Sequence, residues 1–184
     1  RDILVLGAIR GSRLPLDALA AFGSLASRAP SVRLLFVGRP GDASAPFSEA
    51  LERSPLRSRV RWIQDPEEAR MPACVAGASV LLHLTQDEAS PVTPLEAARM
   101  GLTVVASRIP AFEEAFGRSA RFVDSADPEG IAAALEAALE DAASSTARAG
   151  LKKIAAPFTW RASAEAHLAA WQTMLCQPPP PSAG

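Results

Sequence analysis

Cysteine is scarce in this sequence: Cys74 and Cys176 are the only two among 184 residues. Two thiols are too few for a structural zinc site or a secreted disulfide scaffold, and they fit reduced thiols and a cytoplasmic location. A surplus of either charge is missing too. Nineteen Lys plus Arg stand against twenty Asp plus Glu, a net charge of −1, which argues against a nucleic-acid binder held by bulk electrostatics. No apolar run approaches the ~18 residues that cross a bilayer; the best candidate, Ala78 to Leu84, has a strand's length. No secretory signal pattern is present. Lysine is rare as well, since Lys152 and Lys153 are the only two and seventeen of the nineteen basic residues are arginine. That bias resembles codon usage in a GC-rich bacterial genome and says little about chemistry.

What is present is ordinary globular material. Hydrophobic residues make up 48% and charged residues 21%, which excludes general disorder. A chain of this length buries about 70% of its unfolded surface without a metal or disulfide staple. The chain opens at Arg1, without Met, directly into the strand-like stretch 2–7, as expected of a domain taken from a longer protein.

Short apolar runs alternate with helical patterns. Strands are expected at Ile3–Leu6, Arg33–Val37, Val60–Ile63, Ser79–Leu84, Thr103–Ala106 and Arg121–Val123. The first, second, fourth and fifth are nearly continuous Val, Leu and Ile, as suits parallel strands covered on both faces. Leu14, Ala18, Phe22 and Leu25 form one helical stripe, and Ile131, Leu135 and Leu139 another. Asp127-Pro128 reads as an N-cap followed by proline at the first helical position. Further helices are expected over 128–141, 144–155 and 160–175, and the proline-rich residues 177–184 are expected to form a disordered tail. The alternation predicts one α/β domain over 1–176, doubly wound and Rossmann-like. Its six-stranded parallel sheet has order 3-2-1-4-5-6, with helices on both faces.

In that order the winding reverses between strands 1 and 4, and ligands of open α/β sheets lie beside the carboxyl ends of those strands. After strand 1 comes a loop with Gly7, Arg10, Gly11 and Arg13, a plausible anion cradle. It is neither a Walker loop nor a dinucleotide fingerprint, because no Gly-Lys-Ser/Thr follows and strand 2 ends in Gly38-Arg39 rather than an acid. After strand 4, Thr93-Pro94-Leu95-Glu96 reads as a capping box, with Thr93 as N-cap and Glu96 at the third position, and Gly101 as the left-handed stop. A helix there points the positive end of its dipole into the crevice. His83, inside an apolar strand, reads as a satisfied core histidine, and His167 as a packing residue of the last helix.

Glu88 and Glu96 form an E-x7-E motif, followed by Ala97-Ala98 and the stretch 101–107. This resembles the C-terminal, donor-nucleotide-binding half of group 1 retaining glycosyltransferases of the two-domain GT-B type. Residues 7–22, 35–38, 60–63, 110–117 (with Glu114) and 158–160 also resemble the family's segments, so the likeness covers about 2–175.

The resemblance implies roles. Glu96 would hydrogen-bond the ribose hydroxyls of the nucleotide, and Glu88 would face the transferred sugar as the catalytic carboxylate. Arg13, where a phosphate-binding Lys usually stands, would hold the diphosphate together with the N–H groups of Val92 and Thr93 and the glycine loop opened by Gly7. It implies a UDP- or GDP-linked hexose as donor substrate, no further cofactor and no metal. An N-terminal acceptor domain would precede Arg1, and without it the fragment would transfer no sugar. The parent would work in polysaccharide or glycolipid assembly, with peripheral membrane contact compatible with that task.

Departures from the pattern are Ala8, Ser12 and Ala89-Ser90-Pro91, the last lacking an N–H. They bear on donor identity and on donor binding itself. Two alternatives remain: a GT-B-type nucleotide-sugar epimerase domain and a degenerate, non-catalytic α/β binding domain. A phospho-receiver is disfavoured, because strand 1 has no acid at its carboxyl end and Asp65 stands alone after strand 3.

Overall fold

The chain alternates strand and helix from its first residues. The computed structural model describes residues 1–176; the expected tail at 177–184 lies outside the described residues. The strands are β1 (Asp2–Leu6), β2 (Arg33–Val37), β3 (Val60–Ile63), β4 (Val80–His83), β5 (Thr103–Ser107) and β6 (Arg121–Val123). The helices are α1 (Pro15–Ala26), α2 (Ser44–Arg53), α3 (Met71–Ala76), α4 (Val92–Met100), α5 (Pro110–Phe116), α6 (Pro128–Asp141), α7 (Ser145–Ala155) and α8 (Trp160–Leu175). All six strands are parallel in the order 3-2-1-4-5-6, as the alternation of elements predicts.

Period-2 alternation divides the core. Ile3, Leu34, Phe36, Val80 and Leu82 face α1 and α6, whose Phe22, Leu25, Ile131 and Leu135 complete the largest apolar cluster. Leu4, Val37 and Leu81 face the other way, towards Val75 of α3 and Ala97 of α4. A third cluster joins Val104 and Ala106 to Phe112 and Phe116 of α5 and Leu151 of α7. Each fully buried Phe or Leu contributes about 1.5–3 kcal/mol, so this double cladding holds the strand ends in place.

The sheet is not evenly zipped. β1 pairs with β2 over five residues, from Asp2↔Arg33 to Leu6↔Val37. With β4 it pairs only through Ile3↔Val80 and Leu4↔Leu81. Beyond those pairs the two strands part, and a narrow crevice opens at their carboxyl ends.

The start of α4 corrects the sequence reading. The helix begins at Val92 with Pro91 before it, and no side chain caps it. The Leu95 N–H already donates to the Pro91 carbonyl (3.0 Å), so the first turn closes two residues earlier than a capping box on Thr93 requires. Pro94 is still tolerated because it lies within the first turn, where its missing N–H leaves no helical bond unmade. Glu96 therefore caps nothing. The expected cap of α6 forms, Asp127 accepting from the Gly130 N–H (2.9 Å), and the structure adds one at α8, where Thr159 accepts from the Ala162 N–H (3.1 Å). Gly101 ends α4 at φ 88°.

A second correction concerns α8. It forms over the expected residues, but none of them is buried. His167 is exposed, bonded to the Ser163 carbonyl of its own helix (2.7 Å) and edge-on to Trp171. No helix among the described residues is long and apolar enough to cross a membrane.

Candidate functional site

The loop after β1 is tied to its neighbours on both sides. Gly7 leaves the strand at φ 120°, a conformation that favours glycine. The Gly7 N–H donates to the Val37 carbonyl and the Ile9 N–H to the Arg39 carbonyl, both at 3.0 Å. Asp42 accepts from the Gly11 N–H (3.0 Å). On the other flank the Gln86 N–H donates to the Ser12 carbonyl (3.0 Å), which joins the loop after β1 to the loop after β4. Residues 11–13 form one 3-10 turn, and Leu14 then takes a left-handed conformation (φ 50°) to feed α1. Non-glycine residues in that region carry strain of order 1–3 kcal/mol and persist where the surroundings enforce them. This lacing delivers the Arg13 side chain to the crevice between β1 and β4.

There Arg13 meets two residues from β4 and its loop. One guanidinium nitrogen, Nη1, lies 2.7 Å from Nε2 of His83 and 2.5 Å from Oε2 of Glu88. His83 and Glu88 are 3.5 Å apart. Arginine only donates, so Nε2 of His83 accepts and the neutral ring carries its proton on Nδ1. His83 is 3% exposed, with the Phe112 ring edge-on at 5.5 Å. Burial, then the positive charge of Arg13, lower its pKa from 6.5 to about 4 against the opposing pull of Glu88. The unfolded chain takes up this proton first, so the neutral imidazole contributes its full stability above pH 6.5. That contribution declines as pH falls towards 4, by at most about 3 kcal/mol. We expect an NMR titration of His83 to give a midpoint near 4, and His83→Leu to lose less stability than the wild type between pH 7 and 4.5. A midpoint at the ordinary value would contradict the buried contact.

The structure thus brings Gly7 and Arg13 to the crevice beside β1 and β4, with Glu88 in direct contact with Arg13. Val92 and Thr93 lie four and three residues before Glu96, which puts all three on one stripe of α4. Pro94, Ala97 and Ala98 are the buried side of the same helix. Glu96 is exposed and makes no hydrogen bond or ion pair with the described residues. The Val92 N–H donates to the Ser90 carbonyl (2.9 Å); the Thr93 N–H has no partner among the described residues.

His83 is the site residue that sequence reasoning assigned to the core. Its signal was position: it is the last residue of β4, at the strand end where the winding reverses. Trp62 packs edge-on against Phe47 and donates from Nε1 to the Gly38 carbonyl (3.0 Å). Past β4 the carboxyl edge widens into a groove of about 630 Å³ beside Thr85 and Ser107. Its buried polar groups are already satisfied, because Ser107 Oγ accepts from the Thr85 N–H and hydrogen-bonds Ser125, each at 2.8 Å. Among the described residues no three His, Cys, Asp or Glu side chains gather as metal ligands.

Chemically, the crevice offers the Arg13 guanidinium, with the Glu88 carboxylate in contact with it; together with the Thr93 N–H at the start of α4, which has no partner among the described residues, these are groups that suit an anionic ligand bearing hydroxyls. The model of the family described as glycosyl transferases group 1 matches residues 1–141. A phosphatidyl-myo-inositol mannosyltransferase of Mycolicibacterium smegmatis is 31% identical over 182 residues, spanning 96% of this chain and 43% of that protein. A glycogen synthase of Bordetella bronchiseptica is 29% identical over 193 residues, spanning 96% of this chain and 38% of that one. The chain therefore spans about two fifths of these relatives. Among solved structures, the pneumococcal O-GlcNAc transferase GtfA, in complex with UDP and GlcNAc, superposes with a TM-score of 0.76 at 15% identity. It covers 95% of this chain and 36% of that one. The C-terminal domain of a glycosyl transferase group 1 family protein from Francisella tularensis gives 0.69 at 16% identity, covering 84% of this chain and 81% of that one. These two likenesses speak for the fold. The family match over most of the chain, set beside a relative at 31% identity, speaks for descent: this protein belongs to the group 1 glycosyl transferases.

Proposed function

We propose that this domain binds a nucleoside-diphosphate sugar, UDP- or GDP-linked, for a retaining glycosyltransferase that moves a hexose to an acceptor. The observation that carries the reading is the contact of Arg13 with Glu88 in the crevice where β1 and β4 part. A retaining transfer builds negative charge on the departing diphosphate and positive charge at the anomeric carbon. A guanidinium already held in place stabilises the first, and a carboxylate beside it the second, without reorganisation at the moment of reaction. The unpaired Thr93 N–H at the start of α4 adds a backbone donor and the favourable end of a helix dipole. No protein metal site is invoked.

Glu96 takes the ribose hydroxyls in this reading. A capping role competed for its carboxylate in the sequence, and α4 removes that competitor by starting at Val92 without a side-chain cap. The test is calorimetric titration of UDP and GDP into the chain and its Glu96→Ala variant. A hydrogen bond to a charged group contributes about 1.5–3 kcal/mol, so affinity falls by about tenfold or more while the melting temperature stays put. Unchanged affinity for both nucleotides would end the ribose assignment.

The acceptor half belongs to the part of the longer protein outside this chain, in keeping with a chain two fifths the length of its relatives. The fragment alone then transfers no sugar. An epimerase using the same nucleotide site is the second reading, and product analysis on the longer protein separates epimer formation from transfer.

A further inference from the structure

We propose that His83 is a positioning residue for anion capture: from the end of β4 its ring holds one nitrogen of the Arg13 guanidinium, leaving the rest of that fork to a diphosphate. The inference rests on the diphosphate reading above and adds a residue to it. Three observations carry it. First, His83 hydrogen-bonds no backbone group among the described residues; the side chains it meets are Arg13 at 2.7 Å and Glu88 at 3.5 Å, which come from two different loops. A histidine serving only the core would find its partner in the surrounding fold.

Second, stability does not ask for histidine at this position. Val80, Leu81 and Leu82 fill the rest of β4, and all four residues are buried. An imidazole here must remain neutral and hydrogen-bonded, whereas a leucine would be subject to neither demand. The charged groups that face the ring are Arg13 from the loop after β1 and Glu88 from the loop after β4. β5 opposes it with Ala106 and α5 with the Phe112 ring, neither of which titrates.

Third, the geometry divides the guanidinium. Nη1 serves both His83 and Glu88. The remaining donors, on Nε and Nη2, have no partner among the described residues, and the side chain is 31% exposed. A guanidinium held on one edge and open on the other presents a planar pair of donors to phosphate oxygens. Without His83, Glu88 alone would restrain it, and binding would have to order a long side chain.

The experiment is a double-mutant cycle on the 184-residue chain, read by calorimetric titration of inorganic pyrophosphate, with uridine and guanosine as probes lacking phosphate. His83→Leu is expected to weaken pyrophosphate binding by about tenfold and leave nucleoside binding unchanged. His83→Gln, which keeps an acceptor at similar reach, is expected to restore most of the loss. In an Arg13→Ala background, His83→Leu is expected to change nothing further, because its effect acts through that guanidinium. Unchanged pyrophosphate affinity in His83→Leu would overturn the inference, as would an equal loss in both backgrounds. If instead Arg13→Ala leaves pyrophosphate affinity intact, or the wild type binds none, the diphosphate reading itself falls. Should His83→Leu fail to fold, His83→Met replaces it in the same cycle.

Discussion

Replacing Arg13 by alanine weakens nucleoside-diphosphate binding by about ten- to a hundredfold and leaves nucleoside binding where it was. The size follows from the donors at stake. Nη1 is engaged by His83 and Glu88, so the ligand draws on the open edge of the guanidinium, and one or two charge-assisted hydrogen bonds disappear with it. The loss is compounded by Glu88, which no longer has a cation beside it and would repel the incoming diphosphate. Arg13→Lys is the informative companion. Lysine keeps the charge but not the fork, so it is expected to recover part of the affinity. Titrations of UDP against uridine and of GDP against guanosine make the comparison. An equal loss for nucleotide and nucleoside would remove Arg13 from phosphate recognition.

Gly38→Ala is expected to destabilise the fold by about 2–4 kcal/mol. A Cβ at Gly38 would collide with the carbonyl carbon and oxygen of Gly7, and neither is the far end of a flexible side chain that could swing away. The same residue donates from its N–H to the Ile63 carbonyl (3.1 Å) and accepts from Trp62 Nε1, so the strand ends cannot simply slide apart. Gly7→Ala provides the contrast. Its Cβ would meet nothing within 4 Å, so only its positive φ matters, at about 1–2 kcal/mol. Denaturant unfolding of both variants checks the ranking. Equal losses would mean that backbone strain, and not the crossing of the two loops, sets the cost. The crossing matters for function because it fixes the turn that aims Arg13.

The loop after β4 teaches a different lesson. Thr93-Pro94-Leu95-Glu96 satisfies a capping-box pattern, yet the helix starts at Val92. Local pattern was outweighed by the turn that precedes it, in which the Val92 N–H reaches back to Ser90 and the Pro91 carbonyl accepts the first helical bond. Two explanations competed for the Glu96 carboxylate, and the chain's own geometry removes the capping one and leaves the side chain exposed.

The strand order, the helix spans from α6 onward and the crevice between strands 1 and 4 were legible in the sequence. They depend on local quantities: apolar period, Asp127 as a cap, Gly101 as a stop, and a handedness rule that leaves few windings open. The segment between β3 and β4 was less legible because α3 is only six residues long, too short for a periodic stripe to stand out. What only the tertiary structure decided is who meets whom in the crevice. Arg13 and His83 are separated by 70 residues, and no spacing rule links them. They meet because β1 and β4 separate after two paired residues while the loops beyond are tied together from Ser12 to Gln86. Burial, which depends on every layer at once, then keeps His83 neutral. Pattern along the chain chose the place; packing across it chose the partners.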